Sequence, residues 1–120
     1  MDALSLHAVV IAWSGKEDQA RHIAAALRKH CERLSVIYSN PWGREEQGAG
    51  DWVQVDDACY FGRKFSTSLE LRQDTPGRQE VMLQIQADAR CEDWGLLASA
   101  CRLAFARHGD LGVWATSIDH

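Results

Sequence analysis

The stretch Leu6 to Trp13, LHAVVIAW, is nearly continuously apolar. A strand covered on both faces, as in a parallel sheet, reads this way, whereas a strand with one wet face alternates. The run ends at Ser14-Gly15-Lys16-Glu17, where Ser14 and Glu17 have the spacing of a capping box. A helix is therefore predicted to start at once. Ala20, Ile23, Ala24, Leu27, Cys31 and Leu34 fall on its apolar face. Arg21, Arg28, Lys29 and Arg33 lie largely off that face and read as solvated surface. A doubly covered strand feeding directly into an amphipathic helix points to an α/β fold.

The remaining elements continue the pattern. Leu34 to Tyr38 is a second strand, ending in Ser39-Asn40-Pro41-Trp42-Gly43. Asn40 to Asp51 is polar and glycine-bearing, and is the stretch expected to be disordered. Asp51 to Val55 is a short third strand that stops at Asp56-Asp57. Ala58, Phe61, Phe65 and Leu69 then mark the apolar face of a second helix. Gln73 to Arg78 is a turn punctuated by Pro76-Gly77. In the fourth strand Val81, Leu83 and Ile85 alternate with Met82, Gln84 and Gln86. A third helix carries Trp94, Leu97, Ala98, Cys101, Ala104, Phe105 and His108 on one face, and Gly112 to Ser117 reads as a fifth strand. The expected fold is one α/β domain over residues 1–120, Rossmann-like, with a mostly parallel sheet of about five strands and helices on both faces.

Composition narrows the partners. The chain has 120 residues, 46% hydrophobic and 25% charged, with a net charge of −4. An acidic chain of this kind is a poor match to a nucleic-acid-binding domain. No apolar run reaches the length of a transmembrane segment. Residues 1 to 7 lack the basic start and apolar core of a secretory signal, so a cytoplasmic location is expected. The four cysteines (Cys31, Cys59, Cys91 and Cys101) form no C-x-x-C pair, which argues for free thiols and against zinc. Cys31 and Cys101 fall on apolar helical faces and read as core.

The candidate chemistry lies at strand ends, where ligands collect in open α/β folds. The fourth strand stops at a carboxylate, Asp88, in Gln86-Ala87-Asp88-Ala89. Asp88 could hold a hard divalent cation against a phosphate, or could cap the next turn. Asp56-Asp57 could recruit a cation or a sugar hydroxyl, or Asp57 could be the N-cap of the second helix. Arg63-Lys64 could reach a phosphate or could be solvated. No G-x-G-x-x-G, P-loop or G-x-S-x-G motif is present.

Three places together resemble the donor-binding half of an inverting, family-two-like glycosyltransferase of the GT-A fold. They are the opening VVIAWSGKEDQARHIAAAL, the strand end Tyr38-Ser39-Asn40, and Phe61-Gly62-Arg63-Lys64 followed by MLQIQADA. The resemblance implies a nucleotide-sugar donor as partner. It places the nucleotide base near Ala12, Trp13 and Ser14, with Ser39 and Asn40 where the family often has an acidic residue. It implies that Asp57, Arg63, Lys64, Gln86 and Ala87 line the donor. It puts Asp88 at the second acidic place of the D-x-D strand end as ligand to Mg or Mn, with Gln86 in the first. In the family such a cation neutralises the departing diphosphate while an acceptor hydroxyl attacks the anomeric carbon. The family's general base belongs to an acceptor half for which these 120 residues offer no counterpart. A half-domain also leaves a sheet edge open, so self-association through that edge is expected.

Two other readings compete with this one. A non-catalytic α/β interaction module would make the strand-end carboxylates structural and use Trp42 and Trp52 as contacts. A receiver domain needs an acidic pair after the first strand and a lysine after the fifth. Here the first strand ends in Trp13-Ser14-Gly15 and no lysine follows Lys64.

Overall fold

The computed structural model describes residues 3–58, 61–71 and 78–107. Within them the order is β1 (Ala3–Ile11), α1 (Glu17–Leu27), a 3₁₀ turn (Arg28–His30), β2 (Arg33–Tyr38), β3 (Asp51–Gln54), α2 (Phe61–Glu70), β4 (Arg78–Gln86) and α3 (Trp94–Arg107). The four strands form one sheet in the order β3-β2-β1-β4, and every pairing is parallel. The α/β class and the parallel sheet follow the sequence reading. The predicted fifth strand at Gly112 to Ser117, the turn at Gln73 to Pro76-Gly77, and Cys59 lie outside the described residues.

One face of the sheet is the main core. Leu6, Ala8, Val10 and Ala12 of the β1 segment pack there with Leu34, Val36 and Tyr38 of β2. Val81, Leu83, Ile85 and Ala87 extend it across β4. α1 covers this face with Ala20, Ile23, Ala24 and Leu27, and α3 with Trp94, Leu97, Ala98 and Cys101. These are the positions that helical spacing selects. Cys101 is 2% exposed, and burial pushes its thiol pKa up. Cys31 is half-buried against the core, with its Sγ 3.3 Å from the Leu27 carbonyl oxygen. Both read as packing residues.

The opposite face differs. Val9, Ile11 and Ile37 form a small apolar cluster with Val53, Val55, Leu71 and Met82 around it. The rest of the face is polar. His7 is fully buried and its Nε2 lies 2.8 Å from Ser35 Oγ. His7 Nδ1 lies 3.5 Å from Glu80, whose carboxylate takes two bonds from Arg33, at 3.0 and 2.8 Å. Arg33 also donates to the Leu71 carbonyl at 3.0 Å. Burial is the main force lowering the His7 pKa, helped by Arg33 and opposed by Glu80. A carboxylate opposite Nδ1 favours the proton there, so Nε2 accepts from the Ser35 hydroxyl. Ser35, His7 and Glu80 have the residue types of a hydrolytic triad. Ser35 is only 3% exposed, however, and the trio cross-links β2, β1 and β4.

α2 packs on this polar face, and it is rotated relative to expectation. Lys64 is 4% exposed and Ser68 is fully buried, whereas Phe65 is 37% and Leu69 is 52% exposed. The Ser68 hydroxyl accepts from the Gln84 side chain and donates to the Phe65 carbonyl. The face predicted to be apolar and inward points outward, because the sheet offers this helix polar partners.

Three other expectations change. α1 begins two residues later than a Ser14 cap requires: its N-cap is Lys16, with no side-chain capping bond, and Glu17 reaches back to the Gly15 amide at 3.0 Å. Asp57 does not cap α2, which starts at Phe61; Asp56 instead accepts from the Ala58 amide at 2.8 Å. The segment between β2 and β3 is ordered. Asn40 Oδ1 accepts from the amides of Trp42 and Arg44 at 3.1 and 2.9 Å, and its Nδ2 donates to the Arg44 carbonyl at 2.7 Å. Arg21, expected on the solvated face of α1, pins the far end by bonding Glu46 and the Gln47 carbonyl and lying 5.5 Å from the Trp52 ring. Tyr38 meets Trp52 edge-on at 5.5 Å and accepts at its hydroxyl from the Glu46 amide at 2.9 Å.

Candidate functional site

The chain runs from β1 outward through β2 to β3, then returns across the sheet to β4 on the other side of β1. The C-terminal ends of β1 and β4 are therefore a topological switch point, where such sheets bind ligands. Ladder bonds continue just past the strand ends, from Ala12 to the Ile37 carbonyl at 2.8 Å and from Ala87 to the Ile11 carbonyl at 2.9 Å. Beyond them the chain diverges into the turn before α1 and the turn 87–93.

A crevice of ≈ 420 Å³ opens between these two segments. Its walls are Asp18, Gln19, His22 and Ile23 of α1 and Ala87 to Cys91 after β4, with Trp94 of α3. The α1 residues stand here because the helix starts at the mouth of β1. Asp18 and His22 are one turn apart and share a face. Trp94 is 9% exposed and gives the crevice an apolar floor, with polar groups of both signs around it.

The predicted residues divide among several places. Ala87 and Asp88 line the crevice. Gln86, next to them, belongs to the alternate set on β4 that faces α2. Ala12 is buried at the end of β1; Trp13 packs against the core, and Ser14 is half-buried in the turn. Ser39 and Asn40 are buried at the end of β2, and the Asn40 side chain is committed to its own loop. Asp57 follows β3, three strand spacings from β4, or about 14 Å. Arg63 is exposed, and Lys64 is buried on the opposite side of the sheet from α1. Asp18, Gln19, His22, Cys91 and Trp94 were not singled out as binding residues. Their signal was positional: the first turns after β1 and β4 are what a switch point brings together.

Among the described residues no three His, Cys, Asp or Glu side chains converge as a metal centre. Asp88 is the strand-end carboxylate of the crevice, and the residues present do not fit a resident ion. A cation arriving on a diphosphate would draw most of its ligands from phosphate and water, with Asp88 as a protein carboxylate.

No protein-family model, curated protein sequence or solved structure matches the chain. The class that the fold defines is therefore the broad one: an α/β domain with a Rossmann-like parallel sheet and a crevice at its switch point.

Proposed function

We propose that the chain is a nucleotide-binding α/β domain of the glycosyltransferase-like kind. It takes a nucleoside-diphosphate-sugar in the crevice between β1 and β4, with Mg or Mn entering on the diphosphate. The observation that carries the reading is the position of Asp88, on the first turn after β4 and at the switch point of a parallel sheet. Asp88 would supply a carboxylate to the cation that neutralises the diphosphate, and Trp94 offers an apolar surface to the donor. The role proposed for the domain is donor binding.

Calorimetric titration with UDP, GDP and their sugar conjugates, in Mg or Mn and then in chelator, tests it. Metal-dependent heat with one nucleotide, lost in Asp88→Asn at unchanged thermal stability, is the expected result. Absence of heat with every nucleotide on folded protein refutes it. A second reading, the non-catalytic interaction module, is favoured by the exposure of Trp42 (70%) and of Phe65 and Leu69 on α2. Trp52 does not belong to that surface: its indole N–H bonds the Ala49 carbonyl at 3.0 Å and its ring packs on the core.

A further inference from the structure

α3 is apolar on both sides. Its inner face carries Trp94, Leu97, Ala98 and Cys101 into the core. Its outer face carries Leu96 (67% exposed) and Leu103 (49% exposed), with exposed Ser99 and Ala100 between them. A helix with no polar face normally packs on two sides, and nothing among the described residues covers the outer side of this one.

The ends of the stripe indicate what does. Glu92 and Asp93 are exposed at the N-terminal end, and Arg107 is exposed at the C-terminal end. One antiparallel register sets Leu96 opposite the partner's Leu103 and Ser99 opposite the partner's Ala100, and brings the acidic N-terminal end, with Glu92, toward the partner's Arg107. Leu96, Ser99, Ala100, Leu103 and Arg107 fall on one side of the helix at 100° per residue, and Glu92 stands just before its first turn. The small residues lie at the centre, where two axes must approach to about 8–10 Å. The same contacts recur on both halves, as a two-fold interface requires.

We propose that the outer face of α3 pairs with the α3 of a second copy, antiparallel and about a two-fold axis at Ser99 and Ala100. The inference is independent of the nucleotide reading. It also differs from association through a sheet edge, since it leaves β3 and β4 untouched. A contact built from one helix pair is small, so the dimer is reversible and concentration-dependent.

Sedimentation equilibrium of the full chain from micromolar to near-millimolar concentration tests it, with circular dichroism as the folding check. The expected result is a monomer–dimer equilibrium. Leu103→Lys should weaken it about a hundredfold, because each substitution counts twice at a two-fold contact. Glu92→Arg should weaken it about tenfold by turning two attractions into repulsions, and Glu92→Arg with Arg107→Glu should restore it. Strict monomers throughout overturn the proposal. So does a dimer insensitive to Leu103→Lys, or a charge reversal that the double variant fails to rescue.

Discussion

Gly50 is the residue through which the long β2–β3 connection enters its edge strand, and a single methyl there should be costly. Its φ is +87°, and a Cβ built on it meets Leu34 Cγ and the Leu34 carbonyl oxygen, each at 2.7 Å. Gly15 provides the control, with φ +92° and nothing within 4 Å of the added atom. Both substitutions to alanine carry the backbone penalty of the left-handed region, about 1–2 kcal/mol. Both recover about 0.4–1 kcal/mol by restricting the unfolded chain. Gly15→Ala should therefore cost about 1 kcal/mol. Gly50→Ala adds an overlap with backbone and with the stem of a buried leucine, an overpacking term of about 1–3 kcal/mol. The expected total is about 2–4 kcal/mol. Urea unfolding at neutral pH measures both, and thermal melts should separate them by roughly 4 °C per kcal/mol for a chain of this size. Equal losses for the two variants would refute the claim that β3 is held against β2 by this close approach.

Two further outcomes follow from buried groups. His7 is held neutral by burial, so its folded pKa lies below the 6.5 of the unfolded chain. Between those two values the unfolded state binds the proton and the folded state does not. The stabilisation is thus complete above pH 6.5 and falls as pH drops toward the folded pKa, at up to about 1.4 kcal/mol per pH unit. Urea midpoints from pH 7.5 downward should show this slope, and His7→Gln, though less stable, should lose it; a slope equal in both would count against the assignment. Cys91 is half-buried at the crevice while Cys101 is closed off with its pKa raised. Peptide mapping after iodoacetamide should find Cys91 labelled before Cys101, and a bound nucleotide should protect it. Faster labelling of Cys101 would contradict the packing described here.

The sequence conveyed the α/β class because β1 and β4 announce themselves without help: one is apolar on both sides and the other alternates. It conveyed the inner faces of α1 and α3 for the same reason, since Ala20, Ile23, Leu27, Leu97 and Cys101 keep helical spacing and meet an apolar sheet. The apolar spacing of α2 does not predict its inner face, because the sheet opposite it is polar. Ser5, His7, Arg33, Ser35, Glu80 and Gln84 all occupy one face, although in the sequence Arg33 reads as solvated surface of the first helix and His7, Ser35 and Gln84 sit within runs marked by their hydrophobic members. Only the register of β1 with β2 and β4 reveals that they meet. The crevice was half legible. Asp88 marks a strand end in any reading, but Asp18 and His22 join it only because β4 returns beside β1, and strand order is not written in local periodicity.

The connection from β2 to β3 has a consequence for how the molecule opens. β1, α1 and β2 are neighbours in sequence and supply one another's contacts, while β4 is clamped to β1 along its full length. β3 has no crossover helix of its own. It pairs with β2 over four residues and depends on a loop gathered by Arg21 and Asn40. Breaking that gathering releases an edge strand without disturbing the centre of the sheet. Amide exchange should therefore divide the molecule in two: Asp51 to Gln54 exchanging through a local excursion, and β1 through global unfolding alone. The segment that stands in for a helix makes this strand the detachable margin of an otherwise cooperative domain.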